Sequence, residues 1–270
     1  QDMSPAICYN SDITAAANAP ATTLTDSRDG TARSYGVSKL ADGLCWMTTN
    51  LSLGADTEVV LTPDDTDITA NFTLPASTTD FATSNTAANY ILPKVLTNDT
   101  YGGYYSYASA IASTTSYTTS GQNITTSICP KNWDLPTSAQ YTNLKTKGNL
   151  TSYATTLAAP YSFIYAGYRN GTSFTGQTNS IRMWTSTNYD VNYAYYTTVY
   201  QNPAYSSNYK RYGESIRCVA SNGNVTINYD GNGNNEYPVS GTVQSQENVE
   251  INAAFTRDIS GFARAGWAPN

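Results

Sequence analysis

Short apolar runs punctuated by turn residues organise this chain, and long amphipathic stretches are absent. Asp26-Ser27-Arg28-Asp29-Gly30 reads as a turn, followed by a strand-like run over 32–40, a second turn at Asp42-Gly43, and Cys45-Trp46-Met47-Thr48-Thr49-Asn50-Leu51. This pattern predicts a β-hairpin ending on a buried Trp46. Residues 54–100 have weak periodicity and read as a long irregular excursion. Tyr101-Gly102-Gly103 precedes a predicted helix over 105–113 carrying Ala108, Ala110, Ile111 and Ala112, and 114–126 is a polar loop. Thr137 is followed three residues later by Gln140, the spacing of a capping box, which predicts a helix over 138–146 burying Tyr141 and Leu144. Beyond Pro160 the pattern predicts strands over 163–168, 181–186, 193–200 and 215–220, joined by Gly/Asn turns. The composition shifts after Ala220. Ser221-Asn222-Gly223-Asn224 reads as a linker, dividing the chain into 1–221 and a small β-rich module over 222–270.

Composition changes this picture in two ways. Charged residues make up 13% of the 270, against about 25% in an ordinary globular protein, so the surface is polar mainly through hydroxyl and amide groups. There are 23 Tyr against 6 Phe. Tyrosine joins a large apolar ring to a polar tip and suits contact surfaces, but it also favours strands, and both readings stay open. The net charge is −6 and the basic residues are scattered, which excludes the cationic stripe a nucleic-acid partner requires. No apolar run approaches the roughly 20 residues of a membrane span, so no membrane insertion is expected within this chain. Gln1 reads as a processed terminus, with any export signal or anchor expected outside this sequence.

The chain has 4 Cys, at positions 8, 45, 129 and 218, and no His. Without a C-x-x-C pair or histidine, two disulfides are a better reading than a zinc site, and they imply an oxidising, extracellular compartment. Three pairings are open. The missing histidine excludes Ser-His-Asp and Cys-His catalysis, and no carboxylate pair stands out, so the chain is not expected to be an enzyme. Neither a metal nor a cofactor is expected. Asp64, Asp65 and Asp67 form an acidic cluster that reads as a solvated loop more readily than as a weak calcium site. Asp230-Gly231-Asn232-Gly233-Asn234 opens like a calcium loop, but Gly241 stands where the closing acidic ligand belongs, and a hairpin turn is the better reading.

An ordered set of motifs carries a family resemblance. Asp26–Gly30 with Cys45–Leu51, then Tyr101-Gly102-Gly103-Tyr104-Tyr105, Cys129-Pro130-Lys131-Asn132-Trp133-Asp134-Leu135-Pro136-Thr137, Ala166-Gly167-Tyr168-Arg169, Trp184-Thr185-Ser186-Thr187 and Ser215-Ile216-Arg217-Cys218-Val219 resemble the Fibrobacter succinogenes major paralogous domain. The resemblance covers about 1–220. It implies an α+β, C-type lectin-like fold with two helices and a small twisted antiparallel sheet, and it pairs Cys129 with Cys218 and Cys8 with Cys45. Val225–Gly233, Phe255-Thr256-Arg257 and Gly261–Trp267 resemble part of a Listeria–Bacteroides (internalin-B-type) repeat, which implies a β-grasp-like stalk module. The tandem is similar to surface proteins of Saccharibacteria-type bacteria. Gln201-Asn202-Pro203 lacks the acidic ligand of calcium-dependent lectins, and no Trp-Asn-Asp is present, so calcium-mediated sugar binding is not implied.

The segment 188–212 concentrates Tyr189, Tyr193, Tyr195, Tyr196, Tyr200, Tyr205, Tyr209 and Tyr212, spaced mainly by Asn and Ser. In lectin-like folds this region displays ligand contacts. The expected site is therefore Tyr189, Tyr193, Tyr195, Tyr200, Tyr205, Tyr209 and Tyr212, facing a protein or glycan on another cell surface. Packing of alternate tyrosines into the core is the competing reading. The alternative function is a structural subunit of an extracellular filament or surface layer, with identical subunits joined through an open sheet edge left by the incomplete repeat.

Overall fold

The turn at Asp26–Gly30 forms around two ion pairs, one of them fully buried. The Arg28 guanidinium grips the Asp26 carboxylate (Nη2 to Oδ2, 2.7 Å) and reaches Thr66 Oγ1 and the Cys129 carbonyl, while Asp29 accepts from Arg33 at 2.6 Å. In the computed structural model, which describes residues 22–199, 205–221 and the backbone of 224–227 and 246–250, this turn joins β1 (Thr22–Asp26) to β2 (Arg33–Lys39). β2 pairs in turn with β3 (Cys45–Met47), placing Trp46 fully inside. Two compact units divide the chain, Gln1–Ala220 and Ser221–Asn270.

The first unit is a mixed α+β structure whose named strand pairs are all antiparallel. One sheet has the order β1-β2-β3-β15-β8, with β8 at Trp133–Asp134 and β15 at Val219–Ala220. A second runs β10-β9-β14-β7-β6: Ser173–Thr175, Tyr168–Asn170, Gly213–Glu214, Tyr104–Tyr105 and Val95–Leu96. The third consists of β11 (Met183–Asn188), β12 (Tyr193–Thr197) and β13 (Tyr205–Tyr209). β4 (Val59–Leu61) and β5 (Phe72–Leu74) form a hairpin within the stretch 54–100, where an irregular excursion was expected. The Cys129–Cys218 disulfide is present, and Cys45 is also disulfide-bonded; Cys8 lies outside the described residues.

The helix α3 (Ser138–Lys147) forms where the capping box predicts it. Thr137 Oγ1 accepts from the Gln140 amide, and the Gln140 side chain accepts from the Thr137 amide. Lys145 and Lys147 complement its C-terminal dipole. Tyr141 and Leu144 are buried, and the Tyr141 ring centroid lies 5.1 Å from that of Trp46. Three further short helices occur among the described residues where two in all were expected: α1 (Ala87–Tyr90), α2 (Tyr107–Ala110) and α4 (Tyr153–Leu157).

Three expectations are corrected. The helix over 105–113 shrinks to the single turn α2, because Tyr105 is a strand residue paired with Val95 and Glu214, and its buried hydroxyl bonds the amide and carbonyl of Leu53. The strand over 163–168 begins only at Tyr168, because Ser162 and Gly167 take positive φ and turn the chain. A Cβ at Gly167 would lie 2.1 Å from the Thr175 carbonyl oxygen, so only glycine fits there. The strand over 215–220 is a crossover between two sheets: β14 belongs to one, β15 to another, and the intervening residues bury Arg217 and bond Cys218 to Cys129.

In the second unit, β16 (Asn224–Ile227) pairs antiparallel with β17 (Gln246–Glu250). The predicted hairpin turn at 230–236 and the incomplete sheet edge lie outside the described residues.

Candidate binding face

The site is built on the β11-β12-β13 sheet. Tyr193 stands opposite Tyr209 and Thr197 opposite Tyr205. Because side chains alternate across a pleated sheet, Tyr193, Tyr195, Tyr205 and Tyr209 share one face. Ala194, Tyr196 and Asn208 take the opposite face and are buried. Trp184 of β11 lies on that inner side, donating from Nε1 to the Tyr105 carbonyl at 2.7 Å, with its ring 5.4 Å from that of Tyr107. The two competing readings of the tyrosines therefore apply to different residues: Tyr196 packs inward, while its odd-numbered neighbours on β12 face out.

On the outer face the rings form one connected series. Tyr205 meets Tyr195 at 5.0 Å between centroids, and Tyr195 meets Tyr189 at 5.2 Å. Tyr189 contacts Tyr193 at 6.2 Å, and Tyr193 stacks on Tyr209 at 4.4 Å. Tyr209 continues to Tyr90 (6.2 Å, stacked) and Tyr212 (5.7 Å), and Tyr212 to Tyr168 (5.3 Å). Tyr189 is 40% exposed and Val191, beside it at the β11–β12 turn, 39%, so the turn carries apolar surface outward. Tyr193, Tyr195, Tyr205, Tyr209, Tyr212 and Tyr168 are half-buried, and Tyr90 is buried. The Tyr209 hydroxyl hydrogen-bonds that of Tyr193 and, with lesser contributions from burial, pushes the Tyr193 phenol up to about 12.

Buried cations hold this face from below. Lys210 is 3% exposed, and its ammonium donates to the carbonyls of Tyr117, Asp190 and Val191, tying the β11–β12 turn to the 114–126 loop. Burial pulls its pKa down to about 8. Arg211 lies over Tyr209 (5.2 Å) and Tyr212 (4.3 Å) and donates to Asn85 Oδ1, Asn170 Oδ1 and the Ala82 carbonyl. Beneath β13, Glu214 accepts from Asn208 Nδ2 at 2.7 Å and lies 3.9 Å from Arg182, while its Oε2 has no hydrogen-bond partner. Burial pushes its carboxyl up to about 7. The Asp190 carboxylate accepts from the amides of Asn192 and Tyr193, closing the turn.

Tyr189, Tyr193, Tyr195, Tyr205, Tyr209 and Tyr212 thus join one series, with Tyr212 at its inner end; Tyr200 lies outside the described residues. Tyr90 and Tyr168 belong to the same series, yet they lie far away in the chain and carry no local signal. Arg211 lies within the segment 188–212, but sequence spacing does not show it stacking. The acidic cluster does not converge on a cation site. Asp65 accepts from the Thr62 amide and from the hydroxyls of Thr62 and Thr66, and Asp67 pairs with Lys131 at 2.9 Å and accepts from the Asn132 amide. Asp64 is exposed, and the other two carboxylates, partly exposed, pin their loop. Gln201-Asn202-Pro203 and Asp230–Asn234 lie outside the described residues. No family model, curated protein or solved structure matches this chain.

Proposed function

We propose that the first unit is a non-catalytic, extracellular cell-surface binding module that engages a protein or glycan on another cell through its outer tyrosine face. The carrying observation is the connected series Tyr205–Tyr195–Tyr189–Tyr193–Tyr209 on one side of a sheet whose other side is core. Such rings offer apolar area with hydroxyl tips and lose little rotamer entropy on binding, especially when neighbouring rings and buried cations already hold them. Exposed Tyr189 and Val191 give the face an unpartnered apolar tip. The Cys129–Cys218 bond supports an oxidising location, and the ordered motif resemblance supports a surface role.

Adhesion of the fluorescently labelled full chain to a panel of bacterial and animal cells, read by flow cytometry, tests this reading. The double substitution Tyr189→Ala/Tyr195→Ala removes two neighbouring rings without touching the inner face. Adhesion should fall at least about tenfold while circular dichroism stays unchanged. Undiminished adhesion by the variant, or no adhesion by the wild type to any cell tested, overturns the proposal.

A further inference from the structure

Away from the tyrosine face, the segments 33–35 and 48–52, the loop 98–102 and the segment 162–164 border an open cleft of about 540 Å³. That volume is in the range that holds small ligands. Arg217 is one of its lining residues and is 1% exposed. Its Nε donates to Asn50 Oδ1 at 2.9 Å, its two terminal nitrogens donate to the Tyr161 and Ser162 carbonyls, and its guanidinium sits 4.2 Å from the Phe163 ring centre. Every one of these partners is neutral. Among the described residues no carboxylate lies within ion-pair distance of Arg217, whereas Arg33 on the same wall is neutralised by Asp29 at 2.6 Å. A buried guanidinium is ordinarily matched by a carboxylate or phosphate, because removing its charge from water is costly. Burial pulls this one down to about 9.

The cleft wall is built rather than fluid. Asn50 bridges Arg217 to the 98–102 loop, its Nδ2 donating to the Tyr101 carbonyl at 2.9 Å. Gly102, at φ +80°, lets that loop press against Asn50; a Cβ there would lie 2.7 Å from Asn50 Cβ. The remaining lining is dominated by hydroxyl and amide side chains, with the exposed Asp99 its one carboxylate among the described residues.

We propose that this cleft is a second binding site that takes a carboxylate-bearing sugar of the uronic-acid type. The sugar carboxylate sits in the field of Arg217, and its ring hydroxyls match the hydroxyl and amide lining. Titrating the full chain with methyl β-glucuronide and with methyl β-glucoside, followed by amide NMR, tests it. Glucuronide should shift the Asn50 and Gly102 amides saturably and bind about tenfold more tightly than the neutral glucoside. Two rim variants report the charge without disturbing a buried contact: Asp99→Asn should tighten glucuronide about threefold relative to the glucoside and Thr100→Glu weaken it about threefold relative to the glucoside, both differences shrinking with added salt. The proposal is overturned by absence of saturation, by equal binding of the two sugars, by shifts mapping elsewhere, or by rim variants without effect. Tighter binding of inorganic phosphate or of a short peptide carboxylate than of glucuronide overturns the sugar assignment.

Discussion

Replacing Glu214 with glutamine keeps the shape of a buried carboxyl but removes its ability to ionise. Glu214 is completely buried, its Oε1 accepts from Asn208, its Oε2 has no partner, and Arg182 at 3.9 Å is too distant for a hydrogen bond. Desolvation therefore outweighs the attraction of Arg182 and the Asn208 bond, raising the carboxyl from its ordinary 4.5 to about 7. The folded protein holds this proton in a range where the unfolded chain has released it. Stability from this group is fully present below pH 4.5 and is lost as pH rises through 7, with a total near 3 kcal/mol at about 1.4 kcal/mol per pH interval. The glutamine amide leaves its own N–H groups without acceptors, so Glu214→Gln carries a fixed offset at every pH. The pH dependence is the readout. Urea unfolding at about pH 4.5 and about pH 8 should show the difference between variant and wild type moving by about 3 kcal/mol in favour of the variant. Lys210, pulled down to about 8, titrates in both proteins and cancels. A difference that does not change with pH would refute the argument, by showing that the ionised carboxylate is hydrated or paired in the folded state.

Two further outcomes follow from the frame of the first unit. Cys129→Ser/Cys218→Ser opens a closure of 89 residues and should lower stability by about 4 kcal/mol, measured as a shift of the urea midpoint under non-reducing conditions; a shift below about 1 kcal/mol would contradict the closure argument. Thr137→Ala removes the acceptor for the Gln140 amide at the start of α3 and should cost about 1 kcal/mol in the same assay, with Thr137→Ser restoring most of it.

What was legible in the chain was local. The capping box at Thr137 and Gln140 specifies α3 through bonds closed within three residues, and the turns at Gly30 and Gly43 need only positive φ, so both are written where they occur. The missing histidines and the concentration of tyrosine in 188–212 are likewise properties of the chain alone, and they direct attention to the face that the fold presents. Tertiary structure decided the rest. Tyr105 sits in an Ala-rich stretch with helical character, yet two strand partners and the distant Leu53 backbone claim it, and those non-local bonds outweigh local propensity. The pleat of β12 separates Tyr195 from Tyr196, sending one outward and the other into the core, a choice set by which side of the sheet Trp184 fills. Tyr90 reaches Tyr209 across more than a hundred residues, and Arg217 finds only carbonyls, an amide and a ring around it. Neither arrangement has a signature in residue order, because each arises from packing elements that meet only when the chain is folded.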